Sequence, residues 1–193
     1  MCAVLELIWT GSYGSTTIDQ ICEKAGVKKG SFYYFFESKS DVATAALDAQ
    51  FQKQRTELDA SFSAMIPPLV RIANYCDFAL RKQLEIKEKC GRVLGCPLFT
   101  LGAEVSTQEQ ELRGKIEEIL GYHGSYLESA VRDAHAAGVI HAPDAAAKAR
   151  MIRAYYEGLL TQARIANDVN VLRELKGGVF AMLGVKEPET VAA

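Results

Sequence analysis

The sequence lacks a run of about 20 apolar residues, the length that an α-helix needs to cross a membrane. It also lacks stretches in which β-branched and polar residues alternate, the pattern typical of half-buried strands. Proline is scarce, with five residues in 193, while apolar residues make up 49% of the chain and charged residues 24%. We therefore predict a folded, all-α protein without a membrane span.

The five cysteines lack the even number and regular spacing of a disulfide framework. No leader segment precedes the first helical pattern, so we expect a reducing, cytoplasmic location. Cys90 and Cys96 lie beside Gly91 and Gly95, where a flexible segment brings two thiols within bonding range. A thiol switch at this pair is the alternative to the usual role of free cysteine as a small apolar residue.

Sequence signatures of catalysis are missing as well. There is no nucleophile elbow, zinc-protease motif, phosphate-binding loop or dinucleotide fingerprint. His123, His135 and His141 include no pair with the i, i+4 spacing of helical metal ligands. We predict that the protein is not an enzyme and that it holds no metal or other cofactor. An enzyme built on a helical bundle is the least favoured alternative.

An overall excess of positive charge is also absent, because the net charge is −2, so any DNA contact must come from a local patch. Such a patch exists between Lys24 and Lys39, where four lysines stand against one acidic residue, Glu37. Five consecutive aromatic residues, 32–36, follow the central lysines. A small, basic first turn followed by tyrosines suits a helix that enters a DNA major groove and reaches phosphates.

Helix signals divide the chain into three short helices and about six longer ones. The first short helix carries the apolar pattern from Val4 to Trp9, and the second begins at a capping box of Thr16 and Asp19 and ends at Gly26. The third is the lysine-rich and aromatic segment. Because none of these is long enough to be stable alone, we predict a three-helix head.

The longer helices form the predicted body. Ser38 and Asp41 have capping-box spacing and open a fourth, connecting helix, and Pro67 and Pro68 mark the start of the next. The remaining predicted helix starts are near Pro97, at the capping-box pair Ser106 and Glu109, at Asp144, and at Asp168.

Four segments within the first 50 residues carry a family resemblance. They are Thr16-Thr17-Ile18-Asp19-Gln20-Ile21, Ala25-Gly26-Val27, Lys29-Gly30-Ser31-Phe32-Tyr33-Tyr34-Phe35-Phe36 and Ser38-Lys39. They resemble the tetracycline-repressor-like (TetR/AcrR) transcriptional regulators, and residues 95–104 are similar to a segment in one subgroup's ligand domain. The resemblance implies a homodimer with a helix-turn-helix DNA-binding domain over residues 1–46 and a ligand-binding and dimerisation domain over residues 47–193. Its last two helices, residues 143–166 and 168–183, would form the dimer interface.

The resemblance also implies which residues contact double-stranded DNA. They are Thr17, Lys28, Lys29, Gly30, Ser31, Tyr33, Tyr34 and Lys39. Lysine donates to guanine acceptors, glycine permits close approach, and tyrosine offers a rigid hydroxyl, so these assignments are chemically sensible. Phe32 and Phe36 are instead predicted to lie in the core of the head, because they are one turn apart on its inward face.

The sequence departs from the family pattern at two places. Phe35 stands where a histidine or tyrosine often makes a polar DNA contact. The start of the chain, Met1-Cys2-Ala3, offers no basic arm. Either the native chain begins earlier, or DNA binding relies on fewer phosphate contacts and depends less steeply on salt.

Aromatic residues in the body are candidates for an effector site, since cavities between helices are often lined by aromatic side chains. The predicted ligand-binding residues are Phe78, Phe99, Tyr122, Tyr126, Tyr155 and Tyr156. The alternative is that these side chains only pack the bundle. Glu157, if it faces inward, would orient a polar end of the ligand, whereas Glu104 is either a pocket group or a surface residue.

Together these patterns predict a ligand-responsive transcriptional regulator. In the favoured form, it is a repressor that releases a pseudo-palindromic operator when a small apolar or aromatic effector binds. The effector would move the two heads away from the ~34 Å spacing of successive major grooves. The alternatives are a regulator switched by thiol oxidation, or one whose body only dimerises or meets a protein partner.

Overall fold

The computed structural model describes residues 3–186, and every regular element in that range is a helix, which confirms the all-α prediction. Met1 and Cys2, where the question of a basic arm arises, lie outside the described residues, as do residues 187–193. The helices are α1 Ala3–Thr10, α2 Ile18–Ala25, α3 Lys29–Phe35, α4 Lys39–Ser61, α5 Pro68–Cys90, α6 Pro97–Val105, α7 Gln110–Ala136, α8 Ala145–Ala166, a 3₁₀ helix Val169–Glu174, and α9 Leu175–Leu183.

The capping box of α2 is one residue later than predicted. The Thr17 hydroxyl accepts the Gln20 amide at 3.2 Å, and the Gln20 side-chain oxygen accepts the Thr17 amide at 2.8 Å. Thr16 is buried instead, and its hydroxyl donates to the Ser12 carbonyl at 2.7 Å. Two adjacent threonines offer the same capping chemistry, and the glutamine at the third helical position decides between them.

The turn from α2 to α3 follows the predicted signals. Gly26 adopts a left-handed conformation with φ of 68°, which glycine tolerates without strain, and ends α2. Phe32 on α3 is buried and packs against the half-buried Phe36, with ring centroids 5.7 Å apart. Ser38 then accepts the Asp41 amide at 3.0 Å, so the predicted start of α4 is confirmed.

One of the predicted caps in the body is wrong, and another caps a different helix from the one expected. No helix begins at Ser106: α6 ends at Val105 and α7 begins at Gln110. Asp168 does cap a helix, but it is the 3₁₀ helix before α9. The starts of α5 at Pro68 and of α8 after Asp144, which accepts the Ala147 amide at 2.8 Å, are as predicted.

The chain divides into two compact units. The first contains the residues up to Thr56 together with Pro97–Gly121, and the second contains Glu57–Cys96 together with the residues from Tyr122 onward. Buried aliphatic and aromatic side chains fill each unit, and a fully buried leucine, isoleucine or phenylalanine contributes about 1.5–3 kcal/mol. Core residues of the first unit include Val4, Ile8, Phe32, Leu47, Leu101, Leu112 and Ile116; those of the second include Ile72, Leu127, Ile152, Leu172, Leu175 and Phe180.

No helix formed by residues 3–186 combines the length and the apolar composition that crossing a membrane requires.

Candidate functional site

One face of α3 is buried and the other exposes the predicted DNA-contacting side chains. Phe32 is only 5% exposed and anchors the helix in the first unit. Tyr33 is 53% exposed and Tyr34 81% exposed, and Lys28 and Ser31 are exposed as well. Large aromatic side chains are rarely left in solvent, so this face has the character of a binding surface. The roles of its residues in DNA contact stay predictions.

Phe35 belongs to the same exposed face. It is 71% exposed, and its ring meets that of Tyr34 edge to face, with centroids 4.8 Å apart. The aromatic run of α3 therefore divides into a buried residue, Phe32, a half-buried one, Phe36, and three exposed rings. Helical geometry explains the division, because residues 32 and 36 are one turn apart and share the inward face.

Lys29 forms an ion pair within the head. Its ammonium group lies 2.7 Å from the carboxylate of Asp19 on α2. The hydrogen bond to this carboxylate, together with its charge, raises the pKa of Lys29. Both side chains are largely exposed, so the pair is screened by solvent and stabilises the head only slightly.

Gly30 has open space beside it. A Cβ atom built at this position would have no neighbour within 4 Å, so packing within the chain does not require glycine here. The residue lies in the first turn of α3 between exposed Lys29 and Ser31. Glycine at this position lets an external surface approach the backbone closely.

Lys39 is held inside the head by the turn that connects α1 and α2. Its ammonium group donates to the carbonyl of Tyr13 at 2.7 Å and to that of Thr16 at 2.9 Å. It also lies 4.1 Å from the centre of the Tyr13 ring, within the range of a cation–π interaction. The predicted phosphate contact of Lys39 stays a prediction, and two of its three donors are already used within the chain.

The same turn is held from its other side by acidic residues that sequence analysis did not connect with the head. The Glu104 carboxylate on α6 accepts the backbone amides of Tyr13 at 2.8 Å and Gly14 at 2.7 Å. The Tyr13 hydroxyl donates to Glu109 at 2.9 Å, just before α7. Burial, reinforced by this hydrogen bond, raises the pKa of Tyr13 to about 12, so the phenol keeps its donor proton at neutral pH.

Two of the six predicted effector residues belong to an aromatic cluster in the second unit. The Tyr156 ring is stacked on Tyr75, with centroids 4.4 Å apart and planes inclined by 22°. The Phe62 ring meets that of Tyr75 edge-on, with centroids 6.1 Å apart, and is tilted against that of Tyr126, with centroids 5.4 Å apart. The Tyr126 hydroxyl donates a hydrogen bond to Asp59. Phe62 and Tyr75 were not predicted, because they meet the other rings through contacts between residues far apart in the sequence.

The other four predicted effector residues lie elsewhere. The charged groups of Arg81 and Lys82 lie over the ring of Phe78. Tyr122 is substantially exposed. Tyr155 covers Gly178 of α9, where a Cβ atom would lie 2.1 Å from its hydroxyl oxygen. Phe99 is half-buried in the first unit. Their assignment to a ligand site stays a prediction.

Glu157 faces inward, next to the stacked tyrosines. It is only 6% exposed, and its Oε2 atom has no hydrogen-bond partner among the residues that the structure describes. Burial raises the pKa of Glu157 to about 7, against the opposing effects of a hydrogen bond from the Cys96 thiol and the positive charge of Arg153. Burial likewise raises the pKa values of Tyr75 and Tyr156 well above their ordinary range.

The segment that carries Cys96 is fixed by side chains of the second unit. Gln83 accepts the amides of Leu94 and Gly95 at 3.0 and 2.9 Å and donates to the Gly95 carbonyl at 3.1 Å. Gly95, with φ of 65°, packs so closely on α8 that a Cβ atom would lie 3.2 Å from the Leu160 carbonyl oxygen. These contacts hold the segment between α5 and α6 in place, so that the Cys96 thiol lies within hydrogen-bonding distance of Glu157.

The thiols of Cys90 and Cys96 have different neighbours. Cys90 is exposed and donates to the Ile86 carbonyl at 3.0 Å, whereas Cys96 is half-buried and donates to Glu157. Neither thiol forms a disulfide, and a switch between them stays a hypothesis. Across residues 3–186, no three His, Cys, Asp or Glu side chains lie close enough to hold a metal ion.

Comparison with known proteins identifies the family of the chain. Residues 3–46 match the family model described as bacterial regulatory proteins of the tetR family, and residues 68–177, more than half of the chain, match the tetracyclin repressor-like C-terminal domain. The chain belongs to the tetR family. It is thus a DNA-binding transcriptional regulator, as the resemblance implied. Regulators of this family bind operator DNA and form dimers.

Individual relatives agree with this assignment. The transcriptional regulator AcuR of Cereibacter sphaeroides is 29% identical over 167 residues, covering 84% of this chain and 74% of that protein. An uncharacterised HTH-type transcriptional regulator of Lactococcus lactis is 27% identical over 173 residues, covering 88% and 84%. The crystal structure of a regulatory protein TetR from Rhodobacter sphaeroides superposes with a TM-score of 0.80 at 26% identity, covering 93% of this tetR-family chain and 94% of that one.

Proposed function

We propose that this tetR-family regulator is a homodimeric repressor that releases its operator when a small apolar or aromatic effector binds. Residues 1–46 bind DNA, and residues 47–193 hold the effector site and the dimer interface. The operator is pseudo-palindromic, because a two-fold dimer presents its two recognition helices to two half-sites.

The exposed face of α3 carries this proposal. Tyr33 and Tyr34 lie in solvent beside Lys28, while Phe32 holds the helix in the core. The hydroxyls of the two tyrosines and the ammonium group of the lysine therefore face solvent and are not used in packing. Phosphate contacts would position the helix, and contacts from its first turn would read base edges.

DNA binding is tested by titrating the protein against the DNA upstream of its own coding region and against unrelated DNA. Lys28→Ala should weaken operator binding about tenfold and lower the slope of log K against log salt by about one if Lys28 contacts a phosphate. Lys53→Ala on α4, an exposed lysine outside the head, is the matched control and should change neither quantity. Equal affinity for operator and unrelated DNA at low salt would refute the repressor.

The dimer interface is proposed on the outer faces of α8 and α9. Along α8, Met151 and Ile165 are exposed and Gly158 lies between them at helical spacing. On α9, Gly177 and Ala181 are exposed small residues that permit close approach of another helix. Such an apolar stripe with small residues suits helix packing against a second copy of the chain.

Coupling between effector and DNA is proposed to pass through α6. Its Glu104 bonds the backbone of the α1–α2 turn, so a shift of α6 pulls directly on the head. An effector can move the DNA-binding equilibrium only if it binds the two conformations with different affinity. The test is a thermal-shift screen followed by DNA titration with each hit. If every stabilising compound left operator affinity unchanged, the protein would not be effector-controlled.

A further inference from the structure

The second unit contains a polar group whose hydrogen-bonding capacity is not used by the chain. Glu157 is nine-tenths buried, and its Oε2 atom has no hydrogen-bond partner among residues 3–186. An unsatisfied buried carboxyl oxygen destabilises a protein, so a leucine of similar size would be the more stable choice here. Residues that carry such a cost are expected at functional sites.

The surroundings of Glu157 are aromatic. The Tyr75 and Tyr156 rings are stacked close by, and Phe62 and Tyr126 extend the aromatic surface. A flat, unsaturated body binds well against such rings, in the offset or edge-on geometries that aromatic pairs prefer.

Burial favours the neutral form of the Glu157 carboxyl group, and its two polar neighbours only partly oppose this effect. The guanidinium of Arg153 lies close enough to influence its carboxylate, and the Cys96 thiol donates to the carboxyl group. The same burial would penalise a charged group on a ligand at this place. A neutral ligand avoids that cost, and a donor on it satisfies the free oxygen.

We infer that Glu157, with the Tyr75–Tyr156 stack, binds an uncharged aromatic or unsaturated effector through an O–H or N–H donor. This inference rests on the proposed effector control and adds the chemical class of the ligand. Glu157 accepts the hydrogen bond at Oε2, and the stacked rings hold the apolar body.

Four probes of similar size test the inference: benzyl alcohol, toluene, benzoate and benzylamine. Binding to the full-length protein is measured by calorimetry and thermal shift at pH 7.5, independently of DNA. We expect benzyl alcohol to bind about tenfold or more tightly than toluene, because it alone satisfies the buried acceptor without adding charge. Tighter binding of benzoate or of benzylamine, equal binding of toluene, or no binding of any probe would overturn it.

Two variants of the same position separate recognition from folding. Glu157→Leu should lose at least about tenfold in benzyl alcohol affinity while keeping toluene affinity, and it should melt at a higher temperature without ligand. Glu157→Gln retains a carbonyl acceptor and should keep most of the benzyl alcohol affinity. If Glu157→Leu binds benzyl alcohol as the wild type does, the inference is wrong.

Operator titration of the same proteins keeps the two proposals apart. If the wild type binds its operator but no probe binds in calorimetry, the ligand class assigned to Glu157 is wrong and DNA binding stands. If benzyl alcohol binds through Glu157 without changing operator affinity, the site is supported and effector control by it fails.

Discussion

The carboxylate of Glu104 accepts the backbone amide of Gly14 across 90 residues of sequence, at 2.7 Å. Its second oxygen accepts the neighbouring Tyr13 amide at 2.8 Å. Backbone amides are obligatory donors, and charged acceptors bind them more strongly than neutral ones. A single side chain of α6 therefore satisfies two donors of the turn that leads into α2.

Removing this carboxylate should destabilise the head. We expect Glu104→Ala to lower the free energy of unfolding by about 1–3 kcal/mol, because the partly buried Tyr13 amide loses its acceptor. Chemical denaturation measures the change, and Glu111→Ala, an exposed glutamate in the first turn of α7, is the control. The variant should also lose part of any effector response in DNA titrations. Unchanged stability and response would show that the contact is incidental.

Gly30→Ala should separate DNA binding from folding. A methyl group at this position meets no atom within 4 Å, and alanine favours the helix by about 1 kcal/mol over glycine. We expect equal or higher stability, with operator affinity reduced at least tenfold if DNA approaches the backbone here. Gly114→Ala, equally open and inside α7, should stabilise without affecting DNA. Full operator affinity of Gly30→Ala would refute close approach at this residue.

Releasing Lys29 from its intramolecular partner should strengthen DNA binding. Asp19→Asn removes the carboxylate 2.7 Å from the lysine ammonium and one negative charge from the face of the head. We expect operator affinity to increase several-fold at low salt, with the gain shrinking as salt rises. Glu23→Gln, an exposed residue on the same helix, makes the same charge change without touching Lys29. An equal gain from both variants would assign the effect to net charge alone.

The dimer interface makes a prediction about one residue of α8. Ile165 is 80% exposed in the last turn, where a lysine is well tolerated by an isolated helix. In a dimer it would bury an unpaired charge in each copy, so Ile165→Lys should raise the dimer dissociation constant by roughly 100-fold. Sedimentation measures this constant. Leu84→Lys on α5, which is likewise exposed, is the control and should leave the dimer intact.

The pH dependence of stability should reflect Glu157. Its pKa is raised from 4.5 to about 7, so the folded chain retains a proton that the unfolded chain releases, and stability falls as pH rises through that window. His123 acts in the opposite sense. Burial, assisted by Arg153, lowers its pKa from 6.5 to about 4, so stability falls as pH drops through that range.

These two effects nearly cancel between about pH 4.5 and 6.5. Glu157→Gln should therefore uncover the His123 dependence, and its stability advantage over the wild type should grow to about 3 kcal/mol above pH 7, from a pKa change of 2.5. Urea denaturation from pH 4 to 8 measures this difference, and an advantage that does not vary with pH would contradict it.

Local signals predicted the turn after α2, the inward side of α3 and the start of α4. The glycine at the end of α2, the cap at Ser38 and the inward spacing of Phe32 and Phe36 are short-range features, and the structure agrees with each. The cap at Thr16 was wrong because the adjacent Thr17 offers the same hydroxyl and pairs with Gln20. Two adjacent threonines leave the choice of cap open, and the position of Gln20 decides it.

Long-range relationships were not predictable from the sequence in the same way. Glu104 was assigned to a pocket or the surface, and nothing in its neighbourhood along the chain indicates that it binds the α1–α2 turn. Phe62 and Tyr75 were missed because their shared environment is created by packing of separate helices. The sequence does not determine whether Glu157 faces inward, because its orientation depends on how α8 packs.

The geometry of Lys39 has a consequence for the directionality of DNA recognition. A lysine ammonium has three hydrogens, and two point at the carbonyls of Tyr13 and Thr16. The third hydrogen is then restricted to one direction by tetrahedral geometry, unlike that of a freely rotating surface lysine. A phosphate that Lys39 binds would have to lie along that single direction. The side chain would therefore fix the angle at which the DNA backbone lies relative to the α1–α2 turn.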